Sequence, residues 1–188
     1  MLNDIKMKYG LSLLTDIHEP YQAEIVGGIV DVIQIPAFLC RQTDLLVAAA
    51  RTGKIINIKK SSIFLSGQDM KYPVEKVRET GNANVWLTER GNTFGYNNLV
   101  VDFRNIPDMC SITPHVIMDC THSVHVRVLM EGKTGGNREY VPAMALAAKA
   151  FGATGYFFEV HPNPDMALSD GPNMLYLKDL EKVICSLL

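Results

Sequence analysis

The sequence lacks the features that mark secreted, membrane-embedded or nucleic-acid-binding proteins. Its four cysteines are scattered and form no Cys-x-x-Cys pair, which argues against a zinc ribbon or a disulfide framework; Cys40 and Cys120, in apolar surroundings, are predicted to face the core. It has neither a signal-peptide core nor an apolar run of membrane-spanning length. A net charge of -2 gives no electrostatic basis for binding nucleic acid. These absences predict a cytoplasmic protein that binds neither nucleic acid nor a membrane.

Linkers, charge blocks and low-complexity segments are also missing, so residues 1–188 are predicted to form a single domain. The chain does contain a regular alternation of short apolar runs and polar-faced helical stretches. Strands are predicted at 11–15, 30–35, 55–58, 85–88, 115–118 and 155–158. Helices are predicted up to Gly10 and at 21–28, 43–51, 69–80, 139–151 and 177–188. This alternation indicates βαβ units and therefore an α/β fold with a parallel sheet.

Two α/β architectures compete, an open doubly wound sheet and a (β/α)8 barrel. No Gly-x-Gly-x-x-Gly follows the first strand, so the dinucleotide-binding form of the open sheet lacks its fingerprint. Each predicted strand delivers polar or charged residues, namely Asp16, Gln34, Lys59, Arg90, His122 and Glu159. Because barrel enzymes place their chemistry at the carboxyl ends of the strands, the barrel is favoured. With six βα units visible, we predict a partial TIM-type barrel that lacks its first two strands.

The stretch 85–103 carries the strongest indication of a binding site. A short apolar strand ends there in a charged pair that includes Arg90, and Gly91 follows at once. The planar guanidinium of Arg90 matches a phosphate or a carboxylate, and Gly91 allows the backbone to fold tightly beside it. Lys59 likewise stands at the carboxyl end of an apolar strand, the third in the predicted order. Together the two cations predict a site for one small substrate that carries both a phosphate and a carboxylate.

Histidine and carboxylate residues form a second candidate site. His122, Glu159 and Asp170 lie on three different segments. Divalent ions such as Zn²⁺, Mn²⁺ or Fe²⁺ accept this mixed set of ligands. Single histidines and acids are also common at strand ends without a metal, so the pattern alone leaves open whether an ion binds. His115 and His125 are interpreted as ordinary loop residues.

Ordered motifs longer than any of these patterns run along the chain: LTDIHE (14–19), IQIPAFLCRQTD (33–44), the stretch 85–103, THSV (121–124), EVHP (159–162) and LSDGP (168–172). In them the chain resembles the 3-deoxy-D-manno-octulosonate 8-phosphate synthases, from about Leu11 to the C-terminus. The resemblance implies a (β/α)8 barrel transferase, usually a homotetramer. Such an enzyme condenses phosphoenolpyruvate with D-arabinose 5-phosphate and water and releases phosphate. Its product enters Kdo and lipopolysaccharide biosynthesis.

The resemblance also implies roles for individual residues. Lys59 and Arg90 would hold the phosphate and the carboxylate of phosphoenolpyruvate. Arg41 would reach into a neighbouring subunit and bind the phosphate of arabinose 5-phosphate. The implied catalytic residues are Lys59, His122 and Asp16, and the implied substrate-binding residues are Gln34, Pro36, Ala37, Arg41, Lys59 and Arg90.

In the metal-using branch of this family, His122, Glu159 and Asp170 would bind one Zn²⁺, Mn²⁺ or Fe²⁺ ion together with a cysteine from a strand that this sequence lacks. Outside that branch no cofactor is expected. The chain also departs from the family at 61–64 (SSIF) and at 125–129 (HVRVL). An alternative therefore stays open: a truncated non-catalytic relative that keeps an anion pocket and an oligomer surface. A relative that uses erythrose 4-phosphate is less favoured, because of the motif at 38–44.

Overall fold

The computed structural model describes residues 1–63, 65–93, 98–126 and 135–188. The strands of its main sheet are β1 (Leu14–Asp16), β2 (Val32–Ile35), β3 (Ile55–Lys59), β4 (Val85–Glu89), β5 (Val116–Asp119) and β6 (Gly155–Phe157). The helices are α1 (Leu2–Tyr9), α2 (Gln22–Gly27), α3 (Thr43–Arg51), α4 (Lys71–Arg78), α5 (Asn105–Cys110), α6 (Val141–Ala150) and α7 (Leu177–Leu187). Short strands of two residues pair with one another outside the main sheet. Asn92–Thr93 pairs with Leu99–Val100, His125–Val126 pairs with Gly135–Gly136, and Val160–His161 pairs with Leu175–Tyr176.

The order of the strands decides between the two predicted architectures. The sheet runs β1-β2-β3-β4-β5-β6, and every neighbouring pair is parallel. Parallel crossovers are right-handed in nearly all proteins, so an order without reversal places the connecting helices on one face of the sheet. A doubly wound sheet reverses its order and has helices on both faces. The α/β class is therefore confirmed, and the strand order is that of a TIM-type barrel.

The helix-facing side of the sheet forms the hydrophobic core. In α3, Leu45, Leu46 and Ala49 are buried because their spacing places them on one side of a helix with 3.6 residues per turn. They belong to the same buried cluster as Ile56 and Ile58 of β3. Full burial of each large aliphatic side chain stabilises the fold by roughly 1.5–3 kcal/mol relative to exposure. This packing fixes the direction in which the opposite face of each strand points.

Among the seven α-helices of the described ranges, α5 is the one that the sequence did not predict. Its residues include Asn105, Pro107 and Asp108, which are typical of turns. Pro107 nevertheless lies in the first helical turn, where a missing N–H group leaves no hydrogen bond unmade. Ile106 and Met109, three residues apart, are both fully buried and hold the helix against the core. Tertiary packing here outweighs the local preference for a turn.

Two further predictions concern membranes and loops. In the parts of the chain given above, no helix is both long and apolar enough to cross a bilayer. Of the two loops that depart from the family, Phe64 and residues 127–129 lie outside the described residues.

The cysteines give a direct test of the packing. Cys40 and Cys120 are fully buried, as predicted, whereas Cys185 is exposed. Burial raises the pKa of the Cys120 thiol, which further suppresses the reactive thiolate. We expect Cys185 to react with a thiol reagent at least about 10³-fold faster than Cys120, because the buried Cys120 becomes accessible only when the fold opens locally. Stopped-flow labelling followed by peptide mass spectrometry measures both rates.

Cys185→Ser is the control, since it should remove the labelling at residue 185 and leave the slow labelling of Cys120 unchanged. Rapid labelling of Cys120 in the native protein would contradict the packing described for β5.

Candidate functional site

A chain of hydrogen-bonded polar side chains crosses the sheet on the face opposite the helices. Gln34 Nε2 donates to Asp16 Oδ1 (2.6 Å), and Asn57 Nδ2 donates to Gln34 Oε1 (2.8 Å). Thr88 Oγ1 donates to Asn57 Oδ1 (2.8 Å), so the chain spans β1 to β4. Side chains alternate across a strand, which is why this polar row can lie directly behind the apolar core. The side-chain amides of Gln34 and Asn57 each donate through the nitrogen and accept through the oxygen. These hydrogen bonds therefore hold the polar side chains in one orientation.

A lysine and an aspartate mark the carboxyl end of the sheet. Lys59 lies two residues beyond Asn57 and points to the same face. Its ammonium nitrogen is 2.8 Å from Asp119 Oδ2 and 4.5 Å from the centre of the Phe157 ring. Asp119 is fully buried, and its carboxylate also accepts a hydrogen bond from the backbone N–H of His122 (2.9 Å). One carboxylate thus positions both a cation and a histidine.

The ionisation of Asp119 follows from these contacts. Burial alone would raise the pKa of its carboxyl, but the hydrogen bond and charge of His122 and the ammonium of Lys59 outweigh burial and hold the pKa well below its usual range. His122 Nδ1 lies 2.8 Å from Asp119 Oδ2, so the ionised carboxylate favours a proton on Nδ1. His122 Nε2 is then available on the other side of the ring, 3.9 Å from Glu159 Oε2.

Two histidines come together because of the local backbone. A 3₁₀ helix spans His122–Val124, and in that geometry side chains three residues apart lie above one another. The rings of His122 and His125 are 5.3 Å apart between centres, and His125 Nε2 lies 3.0 Å from Asp170 Oδ1. Ligand atoms of His122, His125 and Asp170 all lie within 4.8 Å of one another.

The polar atoms around this cluster fit a divalent metal. Within the described ranges, the buried atoms His125 Nε2 and Glu159 Oε2 have no hydrogen-bond partner. Both are atoms that ligate metals, and buried polar atoms without partners are rare in folded proteins. Burial raises the pKa of Glu159, although the charge of His122 opposes that rise, and burial together with the charge of His122 lowers the pKa of His125.

The backbone at Asp170 is held in an unusual conformation. Its φ of 53° lies in the left-handed region that non-glycine residues seldom adopt. The Asp170 carbonyl accepts a hydrogen bond from the backbone N–H of Asn173 (2.8 Å). A side chain at Gly171 would meet the carbonyl oxygen of Pro164 at 2.4 Å. The Asp170 carboxylate is therefore presented by a tight turn that the surrounding chain fixes.

Arg90 lies on the same face as Lys59. Lys59 pairs with Thr88 in the sheet register, and Arg90 is two residues beyond Thr88. Its guanidinium Nη1 donates to Ser62 Oγ (3.2 Å), and the residue is 9% exposed. Gly91 follows with φ at 89°, the positive value that the tight turn was predicted to need. Pro36 and Ala37 follow β2 at the same end of the sheet, and Ala37 is buried.

Arg41 is exposed and lines a groove of about 430 Å³ beside α4. Lys76 Nζ of α4 donates to the Arg41 backbone carbonyl (3.0 Å). The groove is also lined by Leu65, Asp69, Tyr72 and Pro73.

Sequence reasoning missed several members of the site. The interpretation of His125 as an ordinary loop residue is wrong, because it begins a short strand and lies against Asp170. Its spacing of three residues from His122 was the available signal. Asn57 interrupts an apolar run two residues before Lys59, which is the period of a strand face. Nothing in the sequence alone pairs Asp119 with Lys59, because the two are 60 positions apart.

The fold and the site together define an α/β protein of barrel topology whose cations, histidines and carboxylates gather at the carboxyl end of a parallel sheet. The chain belongs to the DAHP synthetase I family, whose model matches residues 1–188. Curated relatives from several bacteria, three of which are described next, carry the name 2-dehydro-3-deoxyphosphooctonate aldolase.

The relative from Cyanothece sp. is 54% identical over 187 residues, which is 100% of this chain and 68% of that protein. The relative from Synechococcus sp. is 53% identical over 184 residues, 98% of this chain and 64% of its own length. The relative from Agrobacterium fabrum is 54% identical over 185 residues, 98% of this chain and 65% of its own length. The chain thus spans about two thirds of the length of the curated relatives it matches.

Proposed function

We propose that this chain acts in the condensation of phosphoenolpyruvate with D-arabinose 5-phosphate and water to give 3-deoxy-D-manno-octulosonate 8-phosphate and phosphate. The observation that carries the proposal is the name shared by relatives about 54% identical over nearly the whole chain. The product belongs to Kdo and lipopolysaccharide biosynthesis. The family description alone would also allow an erythrose 4-phosphate acceptor, and the relatives' name favours arabinose 5-phosphate.

The site offers the groups that this reaction needs. The ammonium of Lys59 and the guanidinium of Arg90 lie on one face at the carboxyl end of adjacent strands, and they supply donors for the phosphate and carboxylate of phosphoenolpyruvate. Asp119 orients Lys59, and an ammonium that donates to one carboxylate has two more N–H groups for a ligand. Gln34, Pro36, Ala37 and Asp16 line the first two strand ends. Orientation of two anionic substrates is the main task of these residues.

In the reaction, the methylene carbon of phosphoenolpyruvate forms a bond to the sugar aldehyde carbon. Water adds its oxygen to the carbon that bears the phosphate ester, and one proton of the water converts the aldehyde oxygen to a hydroxyl. The bond between that carbon and the ester oxygen then breaks, so that inorganic phosphate leaves with the second proton and the ketone of the product remains. Cations near the developing oxyanion and the departing phosphate stabilise the charge of the transition state. His122, Glu159 and Asp170 are the proposed ligands of one Zn²⁺, Mn²⁺ or Fe²⁺ ion, which would supply Lewis acidity when bound.

The proposal extends to the assembly. The six strands are proposed to be part of an eight-stranded barrel, in a cytoplasmic homotetramer in which Arg41 reaches the arabinose 5-phosphate site of a neighbouring subunit. The exposure of Arg41 supports this role.

The test is a phosphorus NMR assay of the purified chain with phosphoenolpyruvate and arabinose 5-phosphate, with and without Mn²⁺ or Zn²⁺. We expect inorganic phosphate and octulosonate 8-phosphate to appear in equal amounts. Erythrose 4-phosphate in place of arabinose 5-phosphate is the matched control and should give much less product. A sample that melts cooperatively but forms no product would favour the non-catalytic relative instead.

A further inference from the structure

We infer that His125 is a metal ligand, so that the divalent ion is bound by two imidazoles, those of His122 and His125, together with Asp170 and Glu159. The inference rests on the metal-binding part of the proposed function and changes its ligand set. It follows from positions of side chains rather than from any motif, because His125 lies outside the set of His122, Glu159 and Asp170 that the sequence indicated.

The geometry of the two histidines is the first argument. They stand three residues apart on one 3₁₀ turn, which brings their rings to 5.3 Å between centres. Asp119 holds His122 through Nδ1 at 2.8 Å, so that Nε2 faces away from the carboxylate. Metal-binding histidines usually have a carboxylate on the second ring nitrogen, which fixes the ring and its tautomer.

The contact between His125 and Asp170 is the second argument. Nε2 of His125 is 3.0 Å from Oδ1 of Asp170, yet neither this contact nor any other in the described part of the chain gives His125 Nε2 a hydrogen bond. Glu159 Oε2 is likewise buried without a hydrogen-bond partner in these ranges. His125 Nε2 belongs to the group formed by His122, His125 and Asp170, and Glu159 Oε2 lies 3.9 Å from His122 Nε2 at its edge. An ion held by this group would give the unsatisfied nitrogen of His125 its missing partner and would leave Glu159 beside it as a further ligand.

The charges of the cluster give the third argument. The negative charge of Asp119 is balanced by the ammonium of Lys59 at 2.8 Å. Asp170 instead faces the imidazole of His125, and Glu159 lies 3.9 Å from the imidazole of His122. A divalent cation would balance two carboxylates. Two imidazoles with carboxylates suit Zn²⁺, Fe²⁺ or Co²⁺, whereas Mg²⁺ and Ca²⁺ prefer ligands that are all oxygen. The cluster is therefore selective for the first group of ions.

The experiment titrates the metal-free chain with Co²⁺, without substrates, and follows the visible absorption of the bound ion. We expect one equivalent to bind, an excess of Mg²⁺ to leave it bound, and Zn²⁺ to displace it. His125→Gln should weaken Co²⁺ binding by more than the ~10- to 100-fold that loss of an outer-shell partner costs, and should change the absorption. His115→Gln is the matched control, since His115 precedes β5 and contacts Trp86 at the other end of the sheet.

A second measurement does not depend on the folding of a variant. In the unaltered chain with ¹⁵N-labelled histidine, one equivalent of Zn²⁺ should shift the ring nitrogens of His122 and His125 and leave those of His115 in place. Absence of Co²⁺ binding would overturn the metal site, even if the chain makes product. Unchanged binding by His125→Gln together with unshifted His125 nitrogens would overturn this ligand alone. Metal binding without product formation would support the inference and contradict only the proposed activity.

Discussion

Glu89→Ala is expected to lower the free energy of unfolding by about 3–5 kcal/mol, the cost of breaking a buried ion pair by removing one partner. Lys60 and Glu89 are both fully buried, and Lys60 Nζ lies 3.5 Å from Glu89 Oε1. Burial lowers the pKa of Lys60, and the charge of Glu89 is the main effect that opposes this. Without Glu89 the ammonium would keep its hydrogen bond to Asn92 Oδ1 (2.7 Å) but lose its balancing charge. Urea unfolding followed by circular dichroism measures the change.

The pair also anchors the turn at the end of β4. Glu89 Oε1 accepts hydrogen bonds from the backbone N–H groups of Arg90 (3.0 Å) and Gly91 (2.6 Å). Loss of this carboxylate therefore frees two buried donors as well as the lysine, which is why the expected effect is large.

A double-mutant cycle separates the charge from the packing. Lys60→Met combined with Glu89→Gln should be less destabilising than the sum of the two single changes, by about 0.5–3 kcal/mol. Asp102→Ala is the control: Asp102 Oδ2 lies 2.7 Å from Arg104 Nη2 in a solvent-exposed pair, which is worth at most about 1 kcal/mol. If Glu89→Ala unfolds no more easily than Asp102→Ala, the buried pair does not stabilise this fold.

Lys59 and Lys60 show what the sequence could and could not reveal. Both were visible as a basic pair after an apolar strand, and only the alternation of a strand assigns them to opposite faces. Lys59 follows the polar row that begins at Asp16, whereas Lys60 turns into the packed region around Glu89. The sequence predicted the strand and its direction, but the partner of each lysine lies on a distant segment.

The same limit applied to the candidate metal cluster. The elements that deliver His122, Glu159 and Asp170 were predictable because apolar runs and turn residues mark strand ends. Whether the three segments that carry them converge depends on the strand order, which the succession of strands and helices along the chain does not determine. His125 was misread because a loop assignment was made from its neighbours, whereas its ring position depends on the 3₁₀ turn that begins at His122.

Lys59→Met is the change expected to have the largest effect on activity, and it presupposes the proposed reaction. Removal of one donor that stabilises developing charge typically lowers the rate by ~10²- to 10³-fold, equivalent to about 2.7–4 kcal/mol. Lys59 stands at the centre of the candidate site, within 2.8 Å of Asp119 and over the ring of Phe157. We therefore expect kcat/KM for phosphoenolpyruvate to fall by this factor, with weaker phosphoenolpyruvate binding in a calorimetric titration.

The matched control is Lys149→Met, since Lys149 is an exposed lysine in the last turn of α6 and should leave both readouts unchanged. Because Lys59→Met leaves Asp119 without its cation, part of the effect arises from the stability of the site, and a melting curve at the assay temperature must show the variant folded. A folded Lys59→Met chain with unaltered phosphoenolpyruvate binding would mean that the ammonium serves Asp119 and not the substrate. The anion site would then be assigned to Arg90, and the lysine would rank with its neighbour Lys60 as a structural residue.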